Sequence, residues 1–135
     1  MRKLWTHAEI DAPAEVVWQL LTDTDTWPQW GPSIRRARVN GDSLKLGATG
    51  TVTTVIGFDV PFEITELVAG ERWSWKVAGI GATDHVVERI GPQRCRAGFG
   101  VPVFAAPYLA VCRLALHRID RLAVAGADRP PAGSQ

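Results

Sequence analysis

The period of hydrophobic positions changes twice along the chain, and each change marks a different kind of element. Residues 3–10 alternate, with Leu4, Thr6, Ala8 and Ile10 on one face and Trp5, His7 and Glu9 on the other, which predicts a strand. The run Asp11-Ala12-Pro13-Ala14-Glu15 then opens a helix. Pro13 suits a first helical position, and Glu15 suits the positive end of the helix dipole. Val16, Val17, Trp18, Leu20 and Leu21 make this helix short and strongly apolar, ending near Thr22. A second short helical turn leads from Asp23 into Trp27-Pro28-Gln29-Trp30, where Gly31 and Pro32 stop it.

From Ile34 the pattern has period two. Strands are predicted at Ile34–Val39, Gly50–Ile56, Val60–Val68, Arg72–Val77, Ala82–Ile90 and Arg94–Val103, with Gly, Asn, Asp or Pro turns between them. Six strands in succession imply an antiparallel meander. After Pro107 the period becomes helical until about Ala125. Tyr108, Val111, Cys112, Ala115, Ile119 and Leu122 share one arc, and Arg113, His117, Asp120 and Arg121 lie opposite. A half-buried helix needs the sheet as its partner. The predicted fold is therefore α+β: a curved seven-stranded antiparallel sheet wrapped around a long C-terminal helix, with two short helices after the first strand. Residues 1–126 are expected to form one such domain, and 127–135 a frayed tail.

Composition narrows the partners. The 15 basic and 14 acidic side chains leave a formal net charge of +1, which gives no electrostatic footprint for nucleic acid. No stretch approaches the ~20 apolar residues of a membrane span, and the start of the chain lacks the apolar run of a signal peptide. A cytoplasmic protein without integral membrane association is expected. Cys95 and Cys112 are the only cysteines, too few for a disulfide framework and too far apart for a compact zinc motif. Neither a metal nor a cofactor is expected. The six tryptophans are the unusual feature, since they can fill a core or line a pocket.

The text Ile10-Asp11-Ala12-Pro13-Ala14-Glu15-Val16-Val17-Trp18, followed by Leu20-Leu21-Thr22-Asp23 and Trp27-Pro28-Gln29-Trp30, resembles the START-like or Bet v 1-like helix-grip superfamily. It is most similar to the bacterial polyketide cyclase/dehydrase-like branch. Val60-Pro61-Phe62-Glu63-Ile64 and the closing helix extend the resemblance to about residues 3–125. The resemblance implies an internal cavity. It does not bring a shared set of catalytic residues with it.

The pattern gives that cavity candidate walls. Trp73, Trp75, His85 and Phe99 come from the sheet, and Tyr108, Val111 and Ala115 from the helix. Trp73 and Trp75 share a strand face, with ordinary core packing as the alternative. Trp27 and Trp30 are expected to plug one end of the sheet. His85 could orient a ligand or act as acid or base, or be a histidine bonded at the sheet surface. Glu66 shares parity with Phe62 and Ile64, so without a bulge it would face the cavity as a carboxyl of raised pKa. Arg89 has the parity of His85 and could stand at a pocket mouth.

Three functions stay open at this point. The leading one is binding, with or without transport, of a hydrophobic or aromatic small molecule. The second is a cyclase, aromatase or dehydratase acting on a polyketide-like substrate through His85, Tyr108 and Glu66. The third is a structural or interaction module with a filled core. A meander with an open edge also admits pairing with a second copy into a homodimer.

Overall fold

The computed structural model describes residues 2–127. Its strands are β1 (Lys3–Ile10), β2 (Ile34–Val39), β3 (Thr49–Thr54), β4 (Asp59–Val68), β5 (Arg72–Val77), β6 (Ile80–Gly91) and β7 (Arg94–Pro102). They form one antiparallel sheet in the order β1-β7-β6-β5-β4-β3-β2. Two short helices, α1 (Ala14–Thr22) and α2 (Trp27–Trp30), follow β1, and α3 (Leu109–Ala127) closes the chain. This is the α+β helix-grip arrangement. The expected tail lies outside the described residues, apart from Ala127, which ends α3. No helix among the described residues is long and apolar enough to cross a membrane.

Several boundaries differ from the sequence pattern for local reasons. Pro13 caps α1 from outside, in an extended conformation with ψ 147°, instead of opening it. β6 begins at Ile80, because the turn before it is only Ala78-Gly79. Both residues have positive φ (53° and 79°), the mirror-image turn whose twist suits a hairpin. The final helix starts at Leu109, since Val103–Tyr108 forms a 3-10 turn with Pro107 inside it. Its buried arc is Cys112, Ala115, Leu116, Ile119 and Ala123, rotated from the expected arc.

The concave face of the sheet and these helices share one core, which includes Ile10, Val17, Leu21, Ile64, Val101 and Ile119. Close packing also fixes β3 between its neighbours. A Cβ added at Gly50 would fall 2.7 Å from Phe62 Cε2 and closer still to the Arg38 carbonyl oxygen. The carbonyl belongs to the adjoining strand and cannot rotate away. Gly50→Ala should therefore cost about 1–3 kcal/mol by overpacking, towards the upper end, read as a lower urea midpoint with an unchanged slope.

Candidate functional site

The site is built around the end of α1. The last carbonyls of a helix lack partners within it. Here three side chains from the following segment take them. Trp27 Nε1 donates to the Leu21 carbonyl at 3.0 Å, Trp30 Nε1 to the Leu20 carbonyl at 2.9 Å, and Thr26 Oγ1 also to Leu20 at 2.7 Å. Asp23 holds the intervening turn by accepting from the Asp25 amide at 3.0 Å. These bonds aim both indoles of α2 into the concave face.

Trp27 is wholly buried there. It lies parallel to Trp73, with centroids 5.5 Å apart at 8°, and edge-on to Trp75, also at 5.5 Å. Trp30 packs on Phe99 at 5.9 Å. His85 completes the cluster by stacking on Trp73 at 3.7 Å and meeting Phe99 edge-on at 5.1 Å. Offset and edge-to-face pairs of this kind add to plain area burial.

What remains open inside this cluster is an inner chamber of about 30 Å³. All seven expected residues border it: Trp73, Trp75, His85 and Phe99 from the sheet, Tyr108, Val111 and Ala115 from the helical side. Trp27, which the resemblance placed at one end of the sheet, is wholly buried and borders this chamber.

His85 is held as a neutral imidazole. Burial drives its pKa down to about 3, against smaller opposing effects of the Trp73 carbonyl and Asp84. Its Nδ1 lies 3.2 Å from the Trp73 carbonyl oxygen, which can only accept, so the proton is on Nδ1 and Nε2 is bare. The indole Nε1 atoms of Trp73 and Trp75 are buried without a hydrogen-bond partner.

Beyond Trp75 an outer chamber of about 380 Å³ opens between the ends of β3–β7 and the 3-10 turn before α3. Ile34, Trp75, Thr83 and Tyr108 border both chambers, so the two adjoin. Val52, Val60, Val77, Val101 and Ala105 supply apolar walls. Ile80 and Phe104, 60% and 69% exposed, stand at its rim. Ser33 Oγ and the Tyr108 hydroxyl meet at 3.1 Å. Burial raises the Tyr108 pKa, opposed by the bond to Ser33, so the phenol stays a neutral donor. Among the described residues, no Asp, Glu, Lys or Arg borders either chamber. The sequence pattern missed this outer space because it is framed by strand ends and loops, which period two does not describe.

The remaining candidates lie elsewhere. β4 carries a bulge between Ile64 and Glu66, which reverses parity. Glu66 therefore does not face the cavity; it is half-exposed and pairs with Arg72 Nε at 2.9 Å. Arg89 is exposed and bonds Glu15 on α1 at 3.0 Å, away from both chambers. Burial pushes the thiols of Cys95 and Cys112 up to about 11, so they remain protonated. No cluster of three metal-ligating side chains occurs among the described residues.

Residues 1–113 match the family described as polyketide cyclase / dehydrase and lipid transport. No curated protein matches the chain. Among solved structures, it is similar to an AHSA1-like protein from Aeromonas hydrophila, with a TM-score of 0.70 at 20% identity over 96% of this chain and 98% of that one. The di-domain ARO/CYC BexL of the BE-7585A biosynthetic pathway gives 0.74 at 14% identity, over 96% of this chain and 48% of BexL. Norcoclaurine synthase from Thalictrum flavum, in complex with dopamine and hydroxybenzaldehyde, gives 0.63 at 13% identity over 95% and 89% of the two chains. At these identities the likeness is one of fold.

Proposed function

The chain belongs to the polyketide cyclase / dehydrase and lipid transport family, and from that premise we propose that it binds an uncharged, apolar small molecule in the outer chamber. The observation that carries this reading is the lining. A space of about 380 Å³, walled by Val, Ile, Ala and aromatic side chains, has no charged residue around it among the described residues. Pockets of this size and polarity suit small ligands.

The same lining speaks against an acid–base enzyme. Glu66 is outside, and His85 is a proton acceptor only well below neutral pH. A cyclase-type activity would have to come from folding and desolvating a reactive chain, with His85 and Tyr108 as polar contacts.

Titration with fatty alcohols, flavonoids and polycyclic aromatics should quench tryptophan fluorescence, because Trp75 borders the chamber. A ligand binding only the native state should add about 2.7 kcal/mol of stability at a hundredfold excess over its Kd. Ala105→Trp fills the chamber from the 3-10 turn and should weaken binding more than about tenfold while the variant stays folded. If no such ligand shifts the melting temperature, or if Ala105→Trp binds as well as wild type, the proposal is wrong.

A further inference from the structure

The two ends of the sheet differ in their chemistry. In an antiparallel sheet of this order, the β3–β4 and β5–β6 turns, the start of β1 and the exit of β7 fall at one end, where the outer chamber opens. Residues 46–58, 77–83 and 97–112, which run into and through this end, contain no charged side chain. The connections at the other end carry Asp11, Asp42, Lys45, Glu71 and Arg94. The apolar tips do not fold inward. On the first turn Ile56 and Phe58 are 76% and 66% exposed, and Ile80 on the second turn is exposed with Val103 and Phe104 beyond β7. Hydrogen bonds hold the first turn in that shape: the Thr54 amide donates to the Phe58 carbonyl at 2.8 Å, and the Phe58 amide to Thr54 Oγ1 at 3.1 Å. Large apolar side chains presented to water by three neighbouring tips mark a contact surface.

The charges around these tips are of one sign. Arg35 Nη2 donates to the Val55 carbonyl at 3.2 Å, which sets a positive charge against the first turn without neutralising it. Arg2 precedes β1 and Lys76 stands one residue before the end of β5; both are exposed, and neither forms an ion pair among the described residues. The carboxylates of this end are engaged already. Asp84 holds Lys3 Nζ at 2.7 Å, and Asp59 accepts from Thr53 Oγ1 at 2.7 Å, in a cross-strand row with Arg36. The formal net charge of the chain is only +1, so this positive excess is local. We propose that this end of the sheet docks on an anionic lipid surface. Ile56, Phe58, Ile80 and Phe104 enter the apolar layer, and Arg2, Arg35 and Lys76 meet the headgroup phosphates. A bilayer admits separate apolar tips without a recess shaped for each, which a protein partner would have to supply. The outer chamber opens between the same tips, so an apolar molecule passes between bilayer and chamber without crossing water. The docking goes beyond the ligand reading and does not depend on it, because the lipid surface is itself the partner.

Vesicle flotation with no added ligand tests this. Wild type should bind vesicles of phosphatidylcholine mixed with phosphatidylglycerol at least about tenfold more tightly than vesicles of phosphatidylcholine alone, since each cation near an anionic surface contributes about fivefold. The difference should vanish at about 1 M salt, where the Debye length is about 3 Å. Ile56→Ser combined with Phe58→Ser, at exposed positions that do not line the chamber, should weaken binding to the anionic vesicles at least about tenfold. Arg35→Gln should weaken it about fivefold and leave the neutral vesicles unaffected. Leu46→Ser, exposed at the other end of the sheet, should change neither. Melting curves confirm that each variant is folded, as expected for surface substitutions. Failure of wild type to bind the anionic vesicles overturns the proposal, as does equal binding to both kinds or an equal loss in Leu46→Ser. If wild type sediments as a dimer that the double variant dissociates, the tips meet a second copy and the lipid proposal is wrong. The ligand titration uses no vesicles, so the two readings stand or fall separately.

Discussion

Trp27→Ala is expected to lower the free energy of unfolding by about 3–5 kcal/mol, a large share of the ~5–15 kcal/mol typical of a domain. The side chain is wholly buried and touches Trp73, Trp75, Trp30 and Phe62 in one aromatic cluster. Its removal also frees the Leu21 carbonyl at the end of α1. The void it leaves joins the inner chamber, so the loss has a chemical signature. An apolar cavity of this kind stays dry and accepts flat aromatic molecules. Excess indole should raise the melting temperature of Trp27→Ala and leave that of wild type much less changed. Urea unfolding with and without indole measures both parts. A cost below about 1 kcal/mol would mean that the concave face collapses without Trp27.

The second large effect is a dependence on pH. His85 has an ordinary value of 6.5 when unfolded and about 3 in the folded protein. Between those values the unfolded chain binds a proton that the native protein does not, so stability falls as pH falls. Above about 6.5 both states are neutral and this group contributes no slope; below about 3 both are charged and the loss is complete. Within the window one histidine accounts for about 1.4 kcal/mol per pH unit. Carboxylates add their own acid dependence lower down. The informative quantity is therefore the difference in unfolding free energy between wild type and His85→Phe, measured from about pH 7 to about pH 4.5. That difference should move in favour of the variant as pH drops. A constant difference would place His85 in contact with water.

Much of this architecture was legible in the chain because it depends on simple periods. Alternation located all seven strands, and the apolar run after Pro13 located α1. The seven residues expected around a cavity do border one, because strand parity at Trp73 and His85 survives the irregularities nearby. Those two residues are direct register partners on β5 and β6. What was not legible has physical causes too. The bulge at Ile64/Glu66 adds one residue to β4, and its only local trace is that the apolar positions pass from Phe62 and Ile64 to Leu67. The buried arc of α3 takes in Leu116 and Ala123 beside Cys112, Ala115 and Ile119, because the sheet against which the helix packs chooses the face within its apolar side, which the helical period alone does not. The depth reached by Trp27 follows from an indole bond to a carbonyl six residues back, a tertiary detail with no periodic signature.

The sheet order has a bearing on how the molecule is made. Among the described residues β1 pairs with β7 alone, from Lys3 against Pro102 to Ile10 against Cys95, so that partner strand is nearly the whole chain away. A ribosome that has released β1, α1 and α2 has no strand to offer β1 until synthesis has passed residue 102. The hairpins between β2 and β7 are local and can close as they emerge, but the first strand must wait beside them. Contacts of such long range are slow to form. Aggregation during synthesis should therefore respond to changes in β1 and the end of β7 far more than to changes within the central hairpins.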